Sequence, residues 1–136
     1  MNKLNTILVT GGAGFIGSHL IDKLLDMGKE VICIDNFDPF YGIKLKKTNI
    51  RTHLTNPNYT MYEEDIRNIS QIDEIFKKTK PGIVIHLAAK AGVRPSVEDP
   101  KEYSEVNING SLNILECCVK YEVKKFINGS SSSVYG

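Results

Sequence analysis

The stretch that most restricts this chain runs from Thr6 to Gly17. The β-branched run Thr6-Ile7-Leu8-Val9-Thr10 passes directly into Gly11-Gly12-Ala13-Gly14-Phe15-Ile16-Gly17. Gly11, Gly14 and Gly17 are spaced G-x-x-G-x-x-G, and Gly12, Gly14 and Gly17 also satisfy G-x-G-x-x-G. Either spacing answers the same three needs: a tight turn, backbone amides that can approach a pyrophosphate, and a helix packed close to the sheet. From about Phe15 a helix is expected, with Ile16, Leu20 and Leu24 on one face and Gly28 as its left-handed stop. A strand that ends in glycines and opens a helix turns that helix's positive end toward an anion.

The next apolar run, Glu30 to Asp35, ends in a carboxylate placed to take the hydroxyls of an adenosine ribose. No basic residue stands between Asp35 and Lys44. A 2′-phosphate would therefore meet negative charge, which favours NAD over NADP. Further strands are expected at Tyr59 to Glu63, Ile83 to Ala88 and Lys124 to Ser130. Helices are expected over about Ile43 to Leu54, from an Asn68 or Ser70 cap through Ile72, Ile75 and Phe76, and over Pro100 to Tyr121. The last of these keeps a stripe of Ile108, Leu112, Leu115 and Val119. Five strands alternating with four helices predict an α/β fold: a Rossmann-type, doubly wound parallel sheet in the order 3-2-1-4-5 with helices on both faces.

At 136 residues the chain is the size of one domain. Its 17 basic and 16 acidic residues leave a net charge of +1, which points away from nucleic acid or an anionic membrane surface and toward a small-molecule partner. Cys33, Cys117 and Cys118 form neither a C-x-x-C motif nor an even set, and Ile7-Leu8-Val9 is too short for a signal core or a membrane span. A cytoplasmic location is expected. His19, His53 and His86 are not clustered, so no metal site is expected, and His86 reads as a satisfied core residue.

With these residues placed, the chain resembles the extended short-chain dehydrogenase/reductase family, and within it the nucleotide-sugar epimerases. The glycine loop, Ile34-Asp35-Asn36, Asp65-Ile66-Arg67, His86-Leu87-Ala88-Ala89, Asn107-Ile108-Asn109-Gly110 and Ser130-Ser131-Ser132-Ser133-Val134-Tyr135-Gly136 carry the likeness. The resemblance implies a bound NAD held by Gly11, Gly14, Phe15, Ile16 and Gly17, with Asp35 and Asn36 on the adenosine ribose and Asp65 and Ile66 at the adenine. It further implies Leu87, Ala88 and Ala89 along the cofactor, Asn107 near the nicotinamide, and Ser131 as the catalytic hydroxyl. On the residues alone Asp65 also fits a turn acid, Asn107 a satisfied helix residue and Ser131 a strand-end hydroxyl.

Ser131-Ser132-Ser133 holds no carboxylate, where dehydratases of the family carry an acid pair, so epimerisation of a UDP-sugar is expected. Ile34-Asp35-Asn36-Phe37 through Lys44-Leu45-Lys46-Lys47, with Ala91-Gly92-Val93-Arg94, is most similar to UDP-glucuronate 4-epimerases. Arg94 is a candidate contact for a uronate or phosphate oxygen, or else a solvated loop charge, and Ser132 is a candidate sugar contact. The family's general base is a Tyr-x-x-x-Lys tyrosine beyond the serine. Tyr121 to Lys125 fits that spacing but precedes Ser131, so it is taken as a coincidence. Residues 1–136 are accordingly expected to form an incomplete NAD-binding domain, without turnover alone, from a full-length enzyme that dimerises. Epimerase activity from these residues would refute that expectation. Two alternatives stay open: a stand-alone NAD-binding or regulatory module, and a related dehydratase or reductase with an unusual serine loop.

Overall fold

The computed structural model describes residues 3–136. Five parallel strands pair in the order β3-β2-β1-β4-β5, as the sequence predicts: β1 Thr6–Thr10, β2 Glu30–Asp35, β3 Tyr59–Glu63, β4 Ile83–His86 and β5 Lys125–Asn128. Strand alternation divides the apolar side chains between two layers. Ile7, Val9, Val31 and Cys33 face α1 (Phe15–Asp26) and pack on Ile21 and Leu24. Leu8, Ile32, Ile34 and Val84 face the other way, onto Ile72, Ile75 and Phe76 of α3 (Ile69–Thr79) and Ile114 and Cys117 of α6 (Ser111–Lys120). The central strands β1, β2 and β4 are mostly apolar because both of their faces are covered, whereas the edge strands β3 and β5 are more polar and more exposed.

The boundaries follow from where backbone groups find partners. Gly28, at φ 68, terminates α1 with Gly28 N–H on Leu25 O and Lys29 N–H on Leu24 O, the paired bonds of a Schellman cap. The expected helix over 43–54 is shorter: α2 covers Ile43–Asn49, and a separate 3-10 turn covers His53–Thr55. β4 ends at His86, two residues short of the expected Ala88: the Leu87 N–H is shared between the Thr10 carbonyl and hydroxyl, both at 3.2 Å, and the Ala88 N–H turns to the Thr10 hydroxyl. A further short helix, α4 (Val93–Glu98), was not foreseen.

Two expected helix faces are turned differently. In α1 the buried face is Gly17, Ser18, Ile21 and Leu24, while Ile16 is exposed beside the glycine loop. The Pro100 to Tyr121 segment is helical but divided into α5 (Pro100–Ser104), a π-helical stretch (Glu105–Gly110) and α6. Its stripe of Ile108, Leu112, Leu115 and Val119 faces outward, and Gly110, Ile114, Cys117 and Cys118 are buried instead. The reason is space. A Cβ on Gly110 would stand 2.6 Å from Ile66 Cδ1, so this helix approaches the core on its smallest residues.

Among the described residues no helix is long and apolar enough to cross a membrane, and no group of three or more potential ligands is arranged to hold a metal ion.

Candidate cofactor site

β1 has β2 on one side and β4 on the other, so the chain leaves β1 and β4 in opposite directions and a crevice opens beyond their carboxyl ends. That crevice holds a cavity of about 660 Å³, within the range of small-molecule sites. The glycine loop forms its floor. Gly11 sits at φ 71, and a Cβ there would lie 2.8 Å from the Ala88 amide nitrogen. A Cβ on Gly17 would run into Gly11 O and stand 2.7 Å from Gly12 Cα. Gly14 caps α1 with no side-chain hydrogen bond, and no acid stands in the first turn. The N–H groups of Phe15, Ile16 and Gly17 have no protein acceptor among the described residues, which leaves a cradle of open donors at the positive end of a twelve-residue helix. This cradle fits a pyrophosphate.

Asp35, 4% exposed, closes β2 on the cavity wall. Its Oδ2 accepts from Ala13 N–H at 3.0 Å, and its Oδ1 from Phe37 N–H at 2.8 Å and Lys46 Nζ at 3.0 Å. Asn36 and Asp65 line the same cavity, joined by a 3.0 Å bond from Asn36 Nδ2 to Asp65 Oδ2. Arg67 grips Asp65 through Nε at 3.0 Å and Nη2 at 2.8 Å, and its own backbone N–H adds a bond at 2.9 Å. The guanidinium bonds hold the Asp65 carboxyl down at about 2. All four acceptor positions of Asp65 are thereby filled, so its carboxylate shapes the loop. The Ile66 N–H at the cavity wall has no protein partner among the described residues. Arg67 continues to Glu102 at 2.9 Å, and Lys90 bonds Asp38 at 3.3 Å and lies 3.6 Å from Glu102. This charged rim links the loops after β2, β3 and β4.

Residues 8–136 match the family described as GDP-mannose 4,6 dehydratase. The chain belongs to that family. Similar members include the UDP-glucuronate 4-epimerase of Thermodesulfobacterium geofontis, 42% identical over 94% of this chain and 40% of its relative. Protein CapI of Staphylococcus aureus is also 42% identical, over 96% of this chain and 39% of its own length. Among solved structures, UDP-glucuronic acid 4-epimerase from Bacillus cereus, in complex with UDP-glucuronic acid and NAD, superposes with a TM-score of 0.88 at 40% identity. It is covered to 41% by 96% of this chain. UDP-glucose 4-epimerase from Thermotoga maritima, with UDP-glucose, gives 0.84 at 45% identity, with 96% of this chain and 40% of that one covered. The chain thus spans about 40% of the length of the relatives it matches.

For a member of this family the structure gathers Gly11, Gly14, Phe15, Ile16, Gly17, Asp35, Asn36, Asp65, Ile66, Leu87, Ala88 and Ala89 around the one cavity. Four of the expected site residues lie off its wall. The Asn107 amide is occupied by the Lys90 backbone, accepting its N–H at 2.8 Å and donating to its carbonyl at 3.0 Å, so it holds the loop after β4 in place. Arg94, on α4, pairs with Glu98 at 3.3 Å and its side chain is 92% exposed. Ser131 accepts from Ser133 N–H at 3.1 Å at the exposed end of the chain beside Ser132, next to the lining residues Gly129 and Ser130. Tyr121, the false Tyr-x-x-x-Lys tyrosine, donates to Asp73 on α3 and lines no part of the cavity. Lys46, Arg67 and Lys90 also line the wall, and for the two lysines the neighbouring sequence carries no signal of their partners Asp35 and Asp38.

Proposed function

We propose that this chain is the amino-terminal NAD-binding portion of a UDP-sugar 4-epimerase, with UDP-glucuronate as its sugar nucleotide. The observation that carries this is the convergence on one cavity of an open amide cradle and a buried ribose-side carboxylate, in a chain 40% identical to an NAD-bound UDP-glucuronic acid epimerase. NAD, when bound, supplies the hydride acceptor, and then donor, for C4 of the sugar. Phe15, Ile16 and Gly17 hold the pyrophosphate through backbone N–H groups, Asp35 and Asn36 hold the ribose, and Asp65 and Ile66 shape the adenine pocket. Leu87, Ala88 and Ala89 form an apolar wall that excludes water, and Asn107 fixes the loop behind them. Ser131 orients a sugar oxygen, with Ser132 and Arg94 as further sugar-side contacts. The absence of a carboxylate at Ser131-Ser132-Ser133 favours epimerisation over loss of water.

A cytoplasmic location belongs to the same reading. All three cysteines are free and buried, and burial raises their thiols to about 12, 11 and 12 for Cys33, Cys117 and Cys118, which suits unreactive core thiols. So does a homodimer of the longer protein, for which the outward stripe of Leu112, Leu115 and Val119 is the apolar face to be covered. Sedimentation showing only monomer would overturn that part. For the cofactor, calorimetric titration of the chain should give one NAD per chain and affinity for NADP at least about tenfold weaker. NADP preference, or no binding of either, would remove the basis of the proposal. On the longer protein carrying this segment, UDP-glucuronate should convert reversibly to its C4 epimer.

A further inference from the structure

The carboxylate of Asp35 has four acceptor positions, and the protein occupies three of them. Oδ1 is saturated by Phe37 N–H at 2.8 Å and Lys46 Nζ at 3.0 Å, while Oδ2 takes Ala13 N–H at 3.0 Å. One position remains for a ligand. A ribose presents two neighbouring hydroxyls, so one of them must find a second partner. Lys46 stands beside it. Its ammonium carries three donors, of which one goes to Asp35, and it has no other protein acceptor among the described residues. The residue is only 8% exposed yet forms part of the cavity wall.

The pair also alters the electrostatics. A lone buried carboxylate at the ribose would strongly repel a 2′-phosphate, but Asp35 is neutralised by a cation 3.0 Å away that is itself within the site. Rejection of the phosphate then depends on Asp35 keeping the ammonium occupied.

We infer that Lys46 is a cofactor-selecting residue: held on Asp35, it offers its spare N–H donors to the 2′ side of the adenosine ribose, and the Asp35–Lys46 pair sets the choice between NAD and NADP. The inference rests on the dinucleotide reading above. Once Asp35 is neutral, the freed ammonium becomes a phosphate ligand.

The test is calorimetric titration with NAD and with NADP of four forms of the chain: wild type, Asp35→Asn, Lys46→Met and the double variant, each checked for folding by circular dichroism. Asp35→Asn should tighten NADP about 10- to 100-fold, the range of one charge-assisted hydrogen bond. Adding Lys46→Met should return NADP to within about threefold of wild type. Lys46→Met alone, by exposing an uncompensated carboxylate, should lower affinity for NADP relative to NAD about tenfold. Lys46→Gln, which keeps a donor for Asp35, reads the same ratio if the methionine variant does not fold. An NADP gain in the double variant equal to that of Asp35→Asn, or an unchanged NADP-to-NAD ratio on loss of the lysine charge, overturns the role of Lys46 while leaving the NAD site intact. Failure of the wild type to bind either dinucleotide overturns the NAD reading itself, and this inference with it.

Discussion

Replacing Gly17 with alanine is expected to abolish measurable NAD binding and to lower the melting temperature by roughly 10 °C. The added Cβ would collide with Gly11 O and approach Gly12 Cα to 2.7 Å, and both are backbone atoms. Neither can rotate away as a side chain could. Relief requires α1 to move off the loop, which also moves the amides of Phe15 and Ile16 out of the cradle. Overpacking of this kind costs about 3 kcal/mol at the upper end of its usual range. Gly28→Ala is the control. Gly28 also has a positive φ, 68, but nothing lies within 4 Å of its added Cβ. It should cost only about 1 to 2 kcal/mol of backbone strain and leave NAD affinity unchanged. Thermal unfolding and titration of both variants decide the matter, and retention of wild-type affinity by Gly17→Ala would disprove the cradle.

The second large effect concerns pH. His86 is 3% exposed, and both of its ring nitrogens are engaged, Nδ1 with Thr10 Oγ1 at 2.6 Å and Nε2 with Ser111 Oγ at 2.8 Å. The Thr10 hydroxyl already accepts the N–H groups of Leu87 at 3.2 Å and Ala88 at 3.1 Å, so its own proton goes to Nδ1. The ring hydrogen is therefore assigned to Nε2, donating to Ser111, whose hydroxyl donates in turn to the Asn107 carbonyl at 2.7 Å. A second proton at Nδ1 would oppose the Thr10 O–H.

Burial lowers His86 from 6.5 to about 4. Below pH 6.5 the unfolded chain gains a proton that the fold refuses. Stability should thus be level above pH 6.5, fall as pH drops, and reach a loss of about 3 kcal/mol near pH 4. Denaturant unfolding of wild type and His86→Gln at pH 7 and pH 4.5 isolates this from the carboxylates. The wild-type loss should exceed that of the variant by about 2 to 3 kcal/mol, and equal losses would show that His86 is not the group responsible. Thr10 also fixes Leu87 and Ala88, so the same acid loss should loosen the cavity wall.

Much of the architecture was legible because its causes are local. β-branched runs mark β1 and β2 to the residue, the aromatic-flanked Tyr59–Glu63 marks β3, and Gly28 marks the end of α1, since only glycine adopts that φ without strain. Errors arose where a partner distant in sequence decides. β4 is shorter than the sequence predicts because nothing near Leu87 and Ala88 shows that Thr10 will take their amides. The outward stripe of Leu112, Leu115 and Val119 is as periodic as the buried one, and its large aliphatics favour the wrong face over Gly110, Cys117 and Cys118. Close approach to Ile66 required the small residues.

The sequence by itself determined the strand–glycine–helix cradle and the acid at the end of β2, which follow from backbone sterics and alternation within a few residues, and the strand–helix alternation from which the parallel sheet order is read. Only the tertiary structure decided what that acid is worth. Lys46, eleven residues beyond Asp35 and beyond an intervening loop, folds back from α2 to 3.0 Å from Oδ1. A carboxylate that reads as bare charge along the chain is half of an ion pair in space, since Coulomb interactions depend on distance through the fold rather than along the chain.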